Sequence, residues 1–221
     1  MTDGKALMKA IIESPDDDAP RLIYADWLDE QGTPDEAERI RLQCALFHES
    51  TTDERRKALA DRLGKLGSWR APNLRGIRWP GGSYRGYPNQ VRAERWVDLR
   101  AAWNVIFSTA PVTWVAVSGL TLGDLDHFLS LPETKILQYV FLGFAVPLDR
   151  AVERLAVDAA TDGWFVLELS ADPQHHLTDH GAEVLTNARH LRGLGSLYAR
   201  LDDVSPDRRH ALLRRLEGSR G

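Results

Sequence analysis

A chain of 221 residues with 43% hydrophobic content can bury a sizeable core as one large domain or two small ones. A formal net charge of −4 and a pI near 6.0 argue against a general affinity for the phosphate backbone, so nucleic acid is an unlikely partner for the chain as a whole. One cysteine, Cys44, excludes an intramolecular disulfide framework and any Cys-rich zinc site.

The N-terminus "MTDGKALMKAII" has no basic segment ahead of a continuous apolar run, and the most apolar stretch, Ile136 to Leu148, is too short to span a bilayer. A cytoplasmic location without membrane contact is therefore expected. Residues 4 to 13 place Ala6, Leu7, Ala10 and Ile11 on one helical stripe, and Pro15 disfavours helical geometry for Ser14. Asp17 or Asp18 can cap a second helix, from about 19 to 31, that ends at the "GTP" of Gly32 to Pro34. A third, from about Asp35 to Glu49, carries Ala37, Ile40, Cys44 and Phe47 at helical spacing. A fourth, Asp53 to Leu66, carries Leu59, Leu63 and Leu66.

Gly67 to Pro88 is rich in Gly, Pro, Arg and aromatics with no sustained period, which predicts an irregular connection pinned by Trp69, Trp79, Tyr84 and Tyr87. "NQVRAE" reads as a strand and Trp96 to Ser108 as a helix. From there strands and helices alternate, and the strand starts Val112, Ile136, Trp164 and Leu194 are separated by 24, 28 and 30 residues. A strand plus helix recurring at that period is the sequence sign of a leucine-rich-repeat solenoid, in which each unit buries its apolar face only against a neighbour. The repeats have drifted, since no unit carries a full L-x-x-L-x-L-x-x-N-x-L string. The expected fold class is thus α/β: a helical unit over 1–66, an aromatic and Arg-rich connector with a capping helix over 67–110, and a short degenerate solenoid with a parallel sheet over 111–221.

The segment "ESPDDDAPRLIYADWLDEQGTPDEAERIRLQ", Glu13 to Gln43, closely resembles a bacterial family known as the repeat-companion domain, whose signature runs nearly D-D-x-P-R-L-x-Y-A-D-W-L-E-E-x-G-D-P-x-x-A-E-F-I-R-L-Q. Asp29, Thr33 and Arg39 depart from its commonest letters. The resemblance implies a helical companion unit ahead of leucine-rich repeats; it implies no activity that transfers residue by residue.

An enzymatic reading of this segment would pair Asp26 with Asp29 or Glu30 as general acid and base beside Tyr24, but no nucleophile accompanies them. A structural reading makes Tyr24, Trp27, Leu28 and Ile23 an apolar face, with Asp26 or Glu38 clamping Arg21 or Arg41. The run Asp16 to Asp18 lacks the spacing of a calcium loop, since the twelfth residue from Asp16 is Trp27. "DPQHHLTDH" is the best metal candidate: Asp172, His175, His176 and His180, with His176 and His180 at a spacing that serves a metal only if the segment is helical. Between Trp69 and Arg100, seven Arg stand against Glu94 and Asp98, a pattern able to stack single-stranded bases or to pack on the acidic helices.

The leading expectation is a non-enzymatic module that binds a protein or peptide, with no cofactor. Strand residues Trp114, Ala116, Tyr139, Glu168 and Tyr198 form its partner-facing surface. An accessory or metal-binding subunit of an enzyme is the alternative, and RNA binding through the connector the third.

Overall fold

A computed structural model describes residues 4–48, 51–67, 69, 71–80, 84–171 and 175–218. The described residues form a mixed α/β structure with nine α-helices and a six-stranded, mostly parallel sheet. The chain divides into two units. One comprises the chain to Leu74, Trp79–Gln90 and Ala102–Val112; the other comprises Arg75–Arg78, Val91–Ala101 and everything from Thr113. The expected connector, 67–110, is shared between them.

In the first unit, α1 (Gly4–Glu13), α2 (Asp18–Glu30), α3 (Pro34–Phe47) and α4 (Asp53–Leu66) follow one another through short turns. The Asp17 carboxylate accepts from Ala19 N at 2.9 Å and caps α2, while Gly32, at φ +80°, ends the following turn. Met8, Ile11, Ala25, Leu28, Ala37, Ile40, Cys44 and Tyr87 form the core, with Tyr24 and Trp27 stacked at 5.4 Å beside it. Trp27 closes over Gly4, where a Cβ would lie 2.6 Å from the indole. Ile23, expected on the apolar face, is 54% exposed; Arg21 takes the buried position instead. The stripe of α2 that meets the core is Arg21, Ala25 and Leu28, and helical phase places Ile23 off it.

In the second unit, β1 (Ile77–Arg78), inside the stretch expected to be irregular, pairs antiparallel with β2 (Gln90–Ala93), where "NQVRAE" reads as a strand. Two residues carry no readable period, so only the non-local hydrogen bonds define this strand. α5 (Trp96–Thr109) gives Trp96–Ala101 to this unit and Ala102–Thr109 to the first. Four parallel strands follow in chain order: β3 (Trp114–Leu120), β4 (Tyr139–Phe144), β5 (Val166–Ala171) and β6 (Ser196–Tyr198). Between and after them stand α6 (Leu122–Ser130), α7 (Leu148–Val157), α8 (Asp179–Asn187) and α9 (Pro206–Gly218). Short 3-10 turns at Pro132–Ile136 and Ala159–Thr161 precede β4 and β5.

Each strand starts two or three residues later than the apolar pattern suggests. The residues ahead of the strands, Val112, Leu137, Trp164 and Leu194, are buried anchors at 0–1% exposure, so the apolar run begins before backbone pairing does. Val115, Val117, Val140, Leu142, Leu167 and Leu169 are buried on one side of the sheet. Trp96, Phe128 and Trp164 extend that core as a chain of rings, at 5.8 Å and then 6.1 Å. Burying each such side chain contributes about 1.5–3 kcal/mol.

Polar contacts join successive helices at a recurring sequence separation. Asp126 pairs with Arg154 (28 residues apart), the Asp149 carboxylate accepts from the Thr178 N–H and hydroxyl (29), and Glu153 meets His180 (27). The Asp179 carboxylate accepts from Ser205 N (26), and Glu183 pairs with Arg208. The indole N–H of Trp164 donates to the Thr134 carbonyl (30), and Arg215 donates to the Ala188 carbonyl (27).

Candidate functional site

The acidic cluster that opens α2 holds a turn of the same unit. Asp18 pairs with Arg85 at 2.5 Å, the Tyr84 hydroxyl lies 3.4 Å from Asp16 Oδ1, and Gly86 N donates to Gln43 Oε1 at 2.6 Å. Tyr84 and Tyr87 exchange backbone hydrogen bonds around the turn, and the Phe47 ring meets Tyr84 edge-on at 4.7 Å. Burial opposes the charge on Arg85, but the Tyr84 hydroxyl and Asp18 outweigh it and hold its pKa above the ordinary value. Arg85 adopts φ +48°, a left-handed conformation that these contacts sustain. Gly86, at φ +100°, has no alternative: a Cβ there would lie 2.8 Å from Ile40 Cγ1.

The expected clamp forms in part. Arg41 bridges Asp26 at 2.6 Å and Asp29 at 2.7 Å, so one guanidinium occupies Asp26 and one of its two candidate acid–base partners, Asp29. Glu38 pairs with Arg62 of α4 rather than with Arg21 or Arg41, and this bond holds its carboxyl below the usual range. Among the described residues Arg21 makes one hydrogen bond, from Nη1 to the Asp17 carbonyl, and its buried Nε and Nη2 have no hydrogen-bond partner there. Burial lowers its pKa. Burial has the opposite effect on Tyr24, raising its pKa so that it is a weaker acid than a free phenol, and Glu30 is exposed.

The His-rich loop is organised differently from the metal-binding expectation. Thr178 caps α8, accepting from His180 N, so the helix starts at Asp179 and His176 lies outside it. His176 Nδ1 meets Asp203 at 2.5 Å, while His180 Nε2 meets Glu153 at 2.7 Å. The two imidazoles thus have separate carboxylate partners. Asp172 lies outside the described residues, and among the described residues no group of three or more His, Cys, Asp or Glu could hold a metal ion. In the connector, Trp69 and Trp79 pack edge-on at 5.6 Å, and Arg78, Arg85 and Arg95 pair with Glu94, Asp18 and Asp98. These pairs reduce the local positive charge that a nucleic-acid surface would need.

Parallel register fixes the outward face of the sheet. Trp114, Tyr139, Val166 and Ser196 lie in one row across β3 to β6, and Ala116, Phe141, Glu168 and Tyr198 in the next. All five residues expected to face a partner therefore share one side, because residues i and i+2 point the same way. Tyr139 and Tyr198 are 38% and 59% exposed, Glu168 is exposed and Trp114 half-buried. Ala116 is the exception: at 2% exposure it is covered by its surroundings and offers no contact surface.

Phe141, Val166 and Phe165 join this face and were not anticipated. The signal was present for the first two, at two residues from Tyr139 and Glu168. Phe165 sits just ahead of β5, 45% exposed, with its ring edge-on to Tyr139 at 6.5 Å. A Cβ at Gly195 would come 2.4 Å from that ring, so the glycine makes room for it. The result is an apolar, aromatic ledge with one carboxylate.

Comparison with protein-family models, with characterised proteins and with solved structures finds no match. No described helix is long and apolar enough to cross a membrane.

Proposed function

We propose that this chain is a non-enzymatic protein- or peptide-binding module. In this reading it is a cytoplasmic scaffold with a helical repeat-companion unit ahead of a short, degenerate leucine-rich-repeat solenoid, and its partner is a protein or peptide, such as an enzyme subunit. The observation that carries the reading is the outward sheet face, where Tyr139 and Phe165 meet edge-on at 38% and 45% exposure and Tyr198, 59% exposed, stands on the same face. Contiguous exposed aromatics mark interaction surfaces, because water contact is unfavourable for them and a partner relieves it. Strands that follow one another in parallel order, and polar contacts between successive helices recurring at 25 to 29 residues, support the repeat architecture.

A photo-crosslinking residue placed at Tyr198 in cells is expected to capture a discrete protein adduct, whereas the same residue at the exposed Val157 of α7 captures none. Equal labelling from both positions, or labelling from Val157 alone, contradicts a partner seated on the sheet.

A further inference from the structure

Within the outward face, one row has a particular chemistry. Phe141, Glu168 and Tyr198 stand on β4, β5 and β6 at matched register positions, so the carboxylate lies between two aromatic side chains. Strands are about 4.8 Å apart, which puts the two rings on the order of 10 Å from each other with the carboxylate midway. That gap admits one flat or slender side chain. Glu168 is exposed and makes no ion pair or hydrogen bond with another described residue. Its neighbours along the strand on the same face, Val166 and Ser170, bring no cation.

A carboxylate with an aromatic residue on either side attracts a cation by charge pairing, and each ring adds its quadrupole when the cation stacks on its face. A neutral side chain seated there would leave the carboxylate desolvated and unpaired, and an anion would be repelled. Guanidinium fits best, because it is planar, weakly hydrated and able to stack while its N–H groups donate to the carboxylate. The adjacent row, about 6.8 Å away along the strands, matches the spacing of residues i and i+2 in an extended peptide. There Tyr139, Val166 and the neighbouring Phe165 present an apolar surface.

We propose that Phe141, Glu168 and Tyr198 form a slot for a single arginine or lysine side chain of an extended partner segment, with Tyr139 and Phe165 taking an apolar residue two positions away. This rests on the reading of the sheet face as the partner surface. The occupant is a basic peptide segment.

A random twelve-residue peptide library displayed on phage and selected on the full chain tests both levels. The expected result is enrichment of peptides with Arg or Lys two positions from an apolar residue. Their binding, followed by fluorescence anisotropy, weakens on the order of tenfold in Glu168→Gln and is lost in Glu168→Lys. Tyr198→Ser weakens it comparably, and added salt weakens it in the parent protein. These positions are exposed, and unchanged thermal unfolding of each variant confirms an intact fold. Peptides that lose binding in Tyr198→Ser, yet carry no basic residue or ignore Glu168→Gln, overturn the slot and leave the face as the partner surface. No enrichment, or peptides indifferent to both Tyr198→Ser and Tyr139→Ser, overturns slot and face together.

Discussion

Cys44 and Arg21 show how burial rather than residue type sets behaviour in the helical unit. Cys44 is 4% exposed, and burial pushes its thiol up to about 12. A thiol so protonated supplies almost no thiolate near neutrality. In native protein at pH 8 the aromatic disulfide reagent that reports free thiols is expected to react with it at the rate of global or local opening, and immediately once denaturant is added. Fast stoichiometric labelling of the folded protein would show that the site is open. Arg21 is the converse case, a cation at 0% exposure on the stripe where the apolar pattern placed Ile23. Apolarity alone ranked Ile23 for the core; the helical period, anchored by Ala25 and Leu28, seats Arg21 there instead.

At the scale of elements, caps were legible and cross-element bonds were not. The sequence narrowed the α2 cap to Asp17 or Asp18 and the α8 cap to Thr178 or Asp179, because a short oxygen-bearing side chain ahead of an apolar stripe satisfies free N–H groups locally; Asp17 and Thr178 are the ones that accept. That Thr178 also donates its hydroxyl to Asp149 of α7 depends on how two helices pack. Trp164 illustrates the same point. Its fully buried indole N–H donates to the Thr134 carbonyl 30 residues earlier, at 3.0 Å. Trp164→Phe keeps most of the ring volume but removes one of two donors to that carbonyl, which retains the Leu137 N–H, and a loss of about 0.5–1.5 kcal/mol in chemical denaturation is expected. A change within experimental error would mean that water or a rearranged donor replaces the indole.

For the whole molecule, pH dependence follows from the contacts between successive helices. The Glu153 hydrogen bond raises the His180 pKa above 6.5, so this group stabilises the fold fully below that value, and the contribution is lost as pH rises through the folded pKa. Asp179 moves the other way: bonds from the Ser205 backbone and hydroxyl hold its pKa below 3.8. Its stabilisation is present above 3.8 and is lost as pH falls through the lowered folded value. Melting temperature is therefore expected to be highest between these limits. His180→Gln should flatten the alkaline side and Asp179→Asn the acid side, each without altering the opposite slope. Parallel curves for all three proteins would remove both groups from the account.

The sequence by itself determined the order of helices and strands other than β1, and which residues within one strand share a face. Those properties depend on short-range periods, 3.6 and 2, and on turn residues that act within a few positions. Tertiary structure alone decided that Arg41 holds Asp26 while Glu38 holds Arg62, that Ala116 is covered, and that Phe141 and Tyr198 flank Glu168. Each of these depends on the register or packing of elements 15 to 30 residues apart. A local pattern cannot specify such distances, because they are fixed only when the apolar faces of separate elements close on one another.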